Sequence, residues 1–276
     1  MQFSYFDAHS HVQDRQFHHD RDAVLTRMKE GGVGALVAGA DMQMNEDGVA
    51  LVGSREGLWA TVGIHPVEGL TEMEKAVGET GEVLEAPLRR LRALAQKPKV
   101  AGIGECGLDY FYKPKAEAFE KQAVLFRAQI TLARELALPL MVHIRPTKGS
   151  RDDAYLDALP ILDEFPGVKG NIHFFAGTWT VAQEFLARGF TLSFTGVITF
   201  ARDYDEVIKN MPLDMMLSET DCPYVAPAPY RGKRNEPAYV EEVVKKMAEI
   251  RGESLETVRH ATVVNALRVF KIPGTI

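Results

Sequence analysis

The sequence predicts an α/β fold, a TIM-type (β/α)8 barrel formed by a single domain over residues 1–276. Three observations lead to this prediction. The length of 276 residues suits one such barrel. Short apolar runs alternate with longer helix-like segments along the whole chain. No linker-like stretch divides the chain into two parts. An open doubly wound sheet is the alternative architecture, because it is built from the same alternation.

The predicted strands are short, and several are nearly continuous apolar stretches, as in Leu-Pro-Leu-Met-Val. Such strands are typical of a parallel sheet that is covered on both faces. They are expected at residues 4–8, 35–39, 58–64, 100–105, 139–143, 170–174, 191–195 and 215–219. The longest predicted helix covers 115–136, where Phe119, Phe126 and Ile130 contribute to one apolar face. Two further helices, at 236–251 and 255–270, follow the last strand.

Composition indicates a globular protein with a sizeable core, since 46% of the residues are hydrophobic and 25% are charged. No apolar run is long enough for a membrane helix, and no signal peptide is visible. Two cysteines, Cys106 and Cys222, form no disulfide framework, which suits the cytoplasm. Cys106 is interpreted as a packing residue and Cys222 as a structural one, and a catalytic cysteine is the alternative. No obligate protein partner is evident. The net charge of −6 disfavours long-range tracking along duplex DNA.

Two histidines come near the end of the first predicted strand. Side chains alternate along a strand, so His9 and His11 are expected to project to the same side, together with Asp7. Two imidazoles spaced in this way can chelate one metal ion. Incidental polar residues at a strand end are the alternative interpretation of this pair.

Other metal-binding side chains recur where later predicted strands meet their loops. In a parallel barrel these strand ends share one face, on which active sites form. The candidates are Glu105, His143, His173 and Asp221. A single buried histidine is usually a core residue, but six such residues at the same ends of five strands indicate a metal centre. Gly102, Gly104 and Gly107 surround Glu105 and are expected to let its backbone approach an ion closely.

A series of motifs in this order resembles the TatD family of metal-dependent hydrolases, within the wider amidohydrolase group of barrels. The resemblance runs from about residue 6 to residue 270. The matching motifs are Asp7-Ala-His9-Ser-His11, Gly63-Ile-His65-Pro66, Gly104-Glu105-Cys-Gly-Leu-Asp109-Tyr110, His143-Ile-Arg145, His173-Phe-Phe-Ala-Gly177, Glu219-Thr-Asp221-Cys-Pro223 and Arg231-Gly-Lys233-Arg234-Asn235-Glu236-Pro237.

The resemblance implies a TIM-type barrel with two metal ions and phosphodiester hydrolysis, typically as an exonuclease on DNA. By this resemblance one ion is bound by His9, His11, Glu105 and Asp221. The other is bound by Glu105, His143 and His173, so that Glu105 bridges the two ions. His65 is implied to lie near the substrate phosphate, while a structural role before Pro66 is the alternative.

Two segments depart from the family's usual pattern. The common His-Cys-Phe-Ser-Gly is His173-Phe-Phe-Ala-Gly177 in this chain, which removes a thiol and a hydroxyl beside the site. The residues at 146–153 also differ from the usual acidic helix start. This loop borders the predicted pocket, so the difference bears on the substrate and leaves the metal ligands unaffected.

The expected ligands are imidazoles and carboxylates, which suit transition-metal ions better than Ca²⁺. Two divalent ions are expected, from among Zn²⁺, Mn²⁺, Ni²⁺, Fe²⁺ and Mg²⁺. Two such ions can activate a hydroxide for attack on phosphorus. Asp221, as well as acting as a ligand, is expected to accept or position its proton, and Glu105 is the other candidate catalytic residue. Glu219 is expected to orient a ligand from behind.

The expected substrate is single-stranded or end-accessible DNA, or a small phosphodiester. Arg145, Arg231 and Arg234 are candidate phosphate clamps, although a solvated basic turn is the alternative for the last two. The same activated hydroxide can attack a carbonyl, so an ester or amide hydrolase is the alternative function. A non-catalytic binding protein on a barrel scaffold is a further alternative, and the intact ligand set argues against it.

Overall fold

The computed structural model describes residues 2–67 and 85–274. Eight strands lie within these ranges, in the order in which they occur in the chain. They are β1 (Tyr5–Ser10), β2 (Val33–Ala38), β3 (Leu58–Val62), β4 (Val100–Asp109), β5 (Leu140–Arg145), β6 (Gly170–His173), β7 (Thr191–Phe194) and β8 (Met216–Ser218).

Helices connect the strands and follow the last one. Within the described ranges they are α1 (Arg21–Glu30), α2 (Met42–Ser54), α3 (Glu85–Ala95), α4 (Lys115–Leu136), α5 (Asp153–Asp163), α6 (Trp179–Ala187), α7 (Asp205–Asn210), α8 (Val240–Arg251) and α9 (Leu255–Val269). None of these helices is long and apolar enough to cross a membrane. Helix α4 has the bounds predicted from the sequence, 115–136. Helices α8 and α9 lie within the segments predicted at 236–251 and 255–270.

The eight strands form one parallel sheet in which each strand pairs with the next one in sequence, from β1 to β8. The two edges meet just beyond β8, where His11 N donates to Cys222 O at 2.8 Å and Asp221 N donates to His9 O at 2.9 Å. The prediction of a TIM-type barrel is therefore confirmed. The doubly wound alternative is wrong, because its strand order would reverse partway through the sheet.

The interior of the barrel is apolar at the N-terminal ends of its strands. One core cluster contains the second residues of β1, β3 and β5, namely Phe6, Trp59 and Met141, together with Phe270 just after α9. A larger cluster lies between the outer faces of the strands and the surrounding helices. The candidate metal-binding side chains lie at the opposite end, where the active sites of this fold form.

Strand β4 is longer than predicted. It continues past Glu105 to Asp109, because Cys106, Gly107, Leu108 and Asp109 all pair with β5 after an irregularity that follows Ile103. Glu105 therefore lies in the middle of a strand and not at its end. The expected termination at residue 105 is wrong because the pairing partner, which lies over 30 residues away, decides where a strand ends.

Glycines permit the close approach of β4 to β5. Gly104 has a φ of +136° and Gly107 has a φ of +148°. A Cβ atom at Gly107 would lie 2.0 Å from the carbonyl oxygen of His143, and one at Gly104 would lie 2.1 Å from that of Met141. Only glycine avoids both the steric overlap and the unfavourable backbone angle at these positions.

We expect Gly107→Ala to destabilise the protein by about 2–4 kcal/mol, because it combines backbone strain with overpacking. The matched control is Gly53→Ala in α2, where an added Cβ meets nothing within 4 Å. That substitution should change stability by less than about 1 kcal/mol, or increase it slightly, because alanine favours helix. Urea denaturation of the two variants measures the difference. Equal stabilities would contradict this account of the close approach.

Candidate metal centre

Residues from six strands or their loops converge at the C-terminal end of the barrel. They are all buried or nearly so, and each can offer a metal-binding atom. They are His9 from β1, His11 just after it, His65 after β3, Glu105 and Asp109 from β4, His143 from β5, His173 from β6 and Asp221 after β8. The structure thus brings together all six metal ligands predicted from the sequence.

The carboxylate of Glu105 lies between two pairs of histidines. Its Oε2 atom is 3.4 Å from Nε2 of His9 and 3.7 Å from Nε2 of His11. Its Oε1 atom is 2.9 Å from Nδ1 of His143 and 2.9 Å from Nε2 of His173. Each carboxylate oxygen therefore faces a different pair of imidazoles, which is the arrangement that a bridging carboxylate requires.

The distances between donor atoms fit metal ions. Nε2 of His9 lies 3.1 Å from Nε2 of His11, and Nδ1 of His143 lies 3.1 Å from Nε2 of His173. Two nitrogens bound to one ion at about 2.1 Å would be separated by roughly 3.0–3.4 Å. Asp221 adds an oxygen to the first pair, with Oδ1 at 3.7 Å from His9 and 3.5 Å from His11. The donor set therefore fits divalent cations.

A hydrogen bond orients His11, and a carboxylate lies close to the outer nitrogen of His173. Nδ1 of His11 lies 2.8 Å from the carbonyl oxygen of Ala38, to which it can only donate. In a neutral His11, Nε2 then presents a lone pair to the centre. Nδ1 of His173 lies 3.4 Å from Oε1 of Glu219, whose two oxygens also accept hydrogen bonds from Phe174 N and Ser193 Oγ. Glu219 therefore lies behind His173, where the sequence analysis expected it to orient a ligand.

Asp109 is a residue of the centre that the sequence analysis did not single out. Its Oδ2 atom lies 3.0 Å from Nε2 of His143, and its Oδ1 atom accepts a hydrogen bond from the backbone of Phe111. Because Oδ2 of Asp109 accepts a hydrogen bond from Nε2, Nδ1 of His143 is left to face Glu105 and His173. The spacing could have revealed Asp109, since it follows Glu105 by four positions and an even offset places two strand residues on the same side.

His65 differs from the other histidines in its hydrogen bonding. Its Nδ1 atom accepts a hydrogen bond from Val67 N at 3.0 Å, so Nε2 carries the hydrogen in the neutral ring. Nε2 lies 3.6 Å from Oε1 of Glu105. Burial and the neighbouring His143 lower the pKa of His65 to about 3, which keeps the ring neutral. His65 is thus an N–H donor at the edge of the centre.

Asp7 does not join the metal-binding groups, although it was expected to project to the same side as His9 and His11. The register of β1 shifts between Asp7 and Ser10. The Asp7 carboxylate instead accepts hydrogen bonds from N and Oγ1 of Thr220, at 2.8 and 2.5 Å. Asp7 therefore connects β1 to the segment that carries Asp221, and it belongs to none of the groups of possible metal ligands among the described residues.

A cavity of about 740 Å³ opens onto the metal-binding residues. Its wall includes Arg145, Lys148 and Arg151, which come from the end of β5 and the loop that the sequence analysis found to differ from the family pattern. Arg231 and Arg234 are not among the described residues that line this cavity. The guanidinium of Arg231 stacks on Phe200, and that of Arg234 is bound to Asp20 in two hydrogen bonds. Of the three predicted arginine clamps, the structure brings only Arg145 to the cavity.

The fold and the centre define the class of protein. A parallel barrel that gathers histidine and carboxylate side chains at the C-terminal ends of its strands has the groups that metal-dependent hydrolysis needs. The family model described as TatD related DNase matches residues 6–271, and the chain belongs to this family of metal-dependent hydrolases.

Individual relatives agree with this assignment. The chain is 35% identical to an uncharacterized metal-dependent hydrolase, YabD, of Bacillus subtilis, covering 97% of this chain and 99% of the relative. It is also 35% identical to the 3′-5′ ssDNA/RNA exonuclease TatD of Cronobacter sakazakii, covering 96% and 97%. The crystal structure of YJJV, a TatD homologue from Escherichia coli, superposes with a TM-score of 0.83 at 26% identity, covering 99% and 100%.

Metal binding near pH 7 should release protons. Burial disfavours the charged form of His11, but the hydrogen bond to Asp221 and the charge of Glu105 outweigh it and raise the pKa to about 9. Glu105 likewise raises the pKa of His173 against the effect of burial. Both imidazoles are therefore protonated before a metal binds and must lose the proton to act as ligands.

Titration calorimetry with Zn²⁺ in buffers of different ionisation enthalpy measures this release. The heat should differ between phosphate and Tris, and the apparent affinity should rise with pH up to about 9. A His18→Gln variant, changed at an exposed histidine outside the centre, should release the same number of protons. Heats that do not depend on the buffer would contradict the protonation states described for His11 and His173.

Proposed function

We propose that this protein is a two-metal exonuclease that removes nucleotides from the ends of single-stranded nucleic acid. The observation that carries the proposal is the position of Glu105, whose two oxygens face two separate pairs of histidines on the floor of one cavity. Relatives described as 3′-5′ ssDNA/RNA exonucleases cover nearly the whole chain, and we propose the same polarity.

The proposed ligands of one ion are His9, His11, Glu105 and Asp221. Those of the other are Glu105, His143 and His173, with Glu105 shared between the two ions. When bound, two such ions lower the pKa of a water molecule and stabilise negative charge on phosphoryl oxygens. The mixture of imidazole and carboxylate donors suits Zn²⁺, Mn²⁺, Ni²⁺ or Fe²⁺, and Mg²⁺ is the remaining candidate.

The protein's own groups complete the proposed reaction. Asp221 has an exposed edge towards the cavity, where its carboxylate can position the attacking water and accept a proton from it. His65 directs a neutral N–H group into the same space and can donate to a phosphoryl oxygen. Arg145, on the cavity wall, supplies a positive charge for a phosphate of the bound strand.

The position of the centre explains the proposed preference for ends. The metal-binding residues lie on the floor of a cavity at the mouth of the barrel, with loop residues such as Lys148 and Tyr224 around them. A free end can enter such a cavity, whereas the interior of a duplex is held by base pairing. The net charge of −6 gives no general attraction to duplex DNA, so binding depends on the basic side chains at the cavity.

We expect Glu105→Gln to lose both bound metal and activity while the barrel stays folded, because the amide cannot supply a negative charge to two ions. His65→Gln is the matched control, since it changes another neighbour of the same carboxylate. It should keep about two ions per chain but lose roughly 10²-fold or more in kcat/KM, as expected when one donor to the transition state is removed.

Elemental analysis, circular dichroism and hydrolysis assays on the two variants test this assignment. Two retained ions and normal activity in Glu105→Gln would show that the carboxylate does not bridge. Loss of one ion from His65→Gln would make His65 a metal ligand and would contradict the tautomer described above.

The end preference is tested with metal-reconstituted enzyme on linear and circular single-stranded DNA of the same sequence. The linear strand should be shortened from its 3′ end while the circle stays intact. Equal cutting of both strands would refute the end-directed mechanism. An aryl ester serves as a control substrate, and rapid ester hydrolysis without cleavage of any strand would favour the alternative carbonyl hydrolase.

A further inference from the structure

Two aromatic side chains are exposed at the rim of the catalytic cavity. Phe111 is 38% exposed and Tyr112 is 66% exposed, and both line the cavity. Their rings meet edge to face, with centroids 5.0 Å apart. Burying an aromatic ring is favourable, so a ring that stays exposed beside a cavity is typical of a site where a ligand covers it.

A guanidinium group supports these rings. The Cζ atom of Arg145 lies 3.8 Å from the ring centroid of Phe111 and 5.2 Å from that of Tyr112. It therefore stacks on Phe111 and leaves Tyr112 the more exposed ring. The same wall of the cavity also carries Lys148. Aromatic rings next to cationic groups form the combination that binds single-stranded nucleic acid, in which bases stack and phosphates pair with cations.

The rings are fixed relative to the metal-binding residues. The backbone N–H of Phe111 donates to Oδ1 of Asp109, whose other oxygen contacts His143. Tyr112 follows Asp109 by only three residues, a chain length of at most about 10 Å. A base on Tyr112 is thus within one or two nucleotides of a phosphate held at the centre.

We propose that Phe111 and Tyr112 form a base-stacking platform for the nucleotides that flank the scissile phosphate, with Tyr112 as the stacking surface. This proposal rests on the proposed function and names the part of the strand that the cavity wall recognises. Stacking on a ring tolerates any base, because every base has a π-face. The platform therefore explains how an exonuclease could hold successive nucleotides of any sequence.

The test compares two linear single strands that differ only at the 3′ end. One carries all its bases, and in the other the last two nucleotides lack them. For the wild type, KM should be about tenfold higher on the strand without terminal bases. Tyr112→Ala should raise KM by the same factor on the normal strand and leave it unchanged on the strand without terminal bases. Tyr112→Phe should behave like the wild type.

A second pair of variants separates the loss of base stacking in the cavity from the general effect of removing an exposed aromatic ring. Phe111 and Phe200 are both 38% exposed, and each lies under an arginine, at 3.8 and 3.7 Å. Only Phe111 is among the described residues that line the cavity. Phe111→Ala should reduce the preference for terminal bases, whereas Phe200→Ala should retain it. The metal content of all the variants should equal that of the wild type.

Two outcomes would overturn the proposal in distinguishable ways. If the wild type cleaves neither strand under any metal, the proposed function fails and the platform fails with it. If the wild type cleaves both strands but Tyr112→Ala raises KM equally on each, the exonuclease stands and the platform alone is refuted.

Discussion

The carboxylate of Glu105 is only slightly exposed, and five of the eight histidines surround it within 4 Å. A buried negative charge is very unfavourable unless positive charge or hydrogen-bond donors compensate it. Without metal, the adjacent imidazoles supply this compensation, and they hold the pKa of Glu105 well below its usual range although burial raises it. Bound divalent cations would take over this compensation. The arrangement of the whole barrel mouth follows from the need to surround this one carboxylate.

Several polar groups next to the proposed ligands hold them in place around that charge. Asp109 fixes His143, Glu219 lies behind His173, and the carbonyl of Ala38 fixes His11. Asp7 binds Thr220 and so joins the strand that carries two histidines to the segment that carries Asp221. Metal sites depend on such partners, because the hydrogen bond to the outer nitrogen of an imidazole fixes both the orientation of the ring and the nitrogen that carries the hydrogen.

The floor and the wall of the cavity have different structural origins. Much of the floor comes from β4, β5 and β6, which carry Glu105, His143 and His173 in positions set by strand pairing, so it tolerates little change. The wall is built from strand ends and loops, including Arg145, Lys148 and Tyr112. Loops on a rigid barrel can change while the centre stays the same, which is how one fold acts on different substrates. Residues 146–151 lie in this wall, whereas the candidate metal-binding residues come from other parts of the chain.

The sequence by itself determined the order of strands and helices and the six ligand candidates, because periodicity and the ends of apolar runs are local properties. Tertiary structure decided the rest. Pairing with β5 extended β4 and placed Asp109 against His143, and hydrogen bonds join Asp7 to Thr220, more than 200 residues away. Arg234, which follows Asp20 by more than 200 residues, is held by that carboxylate and not by the cavity. These outcomes depend on contacts between distant parts of the chain, which a local pattern does not contain.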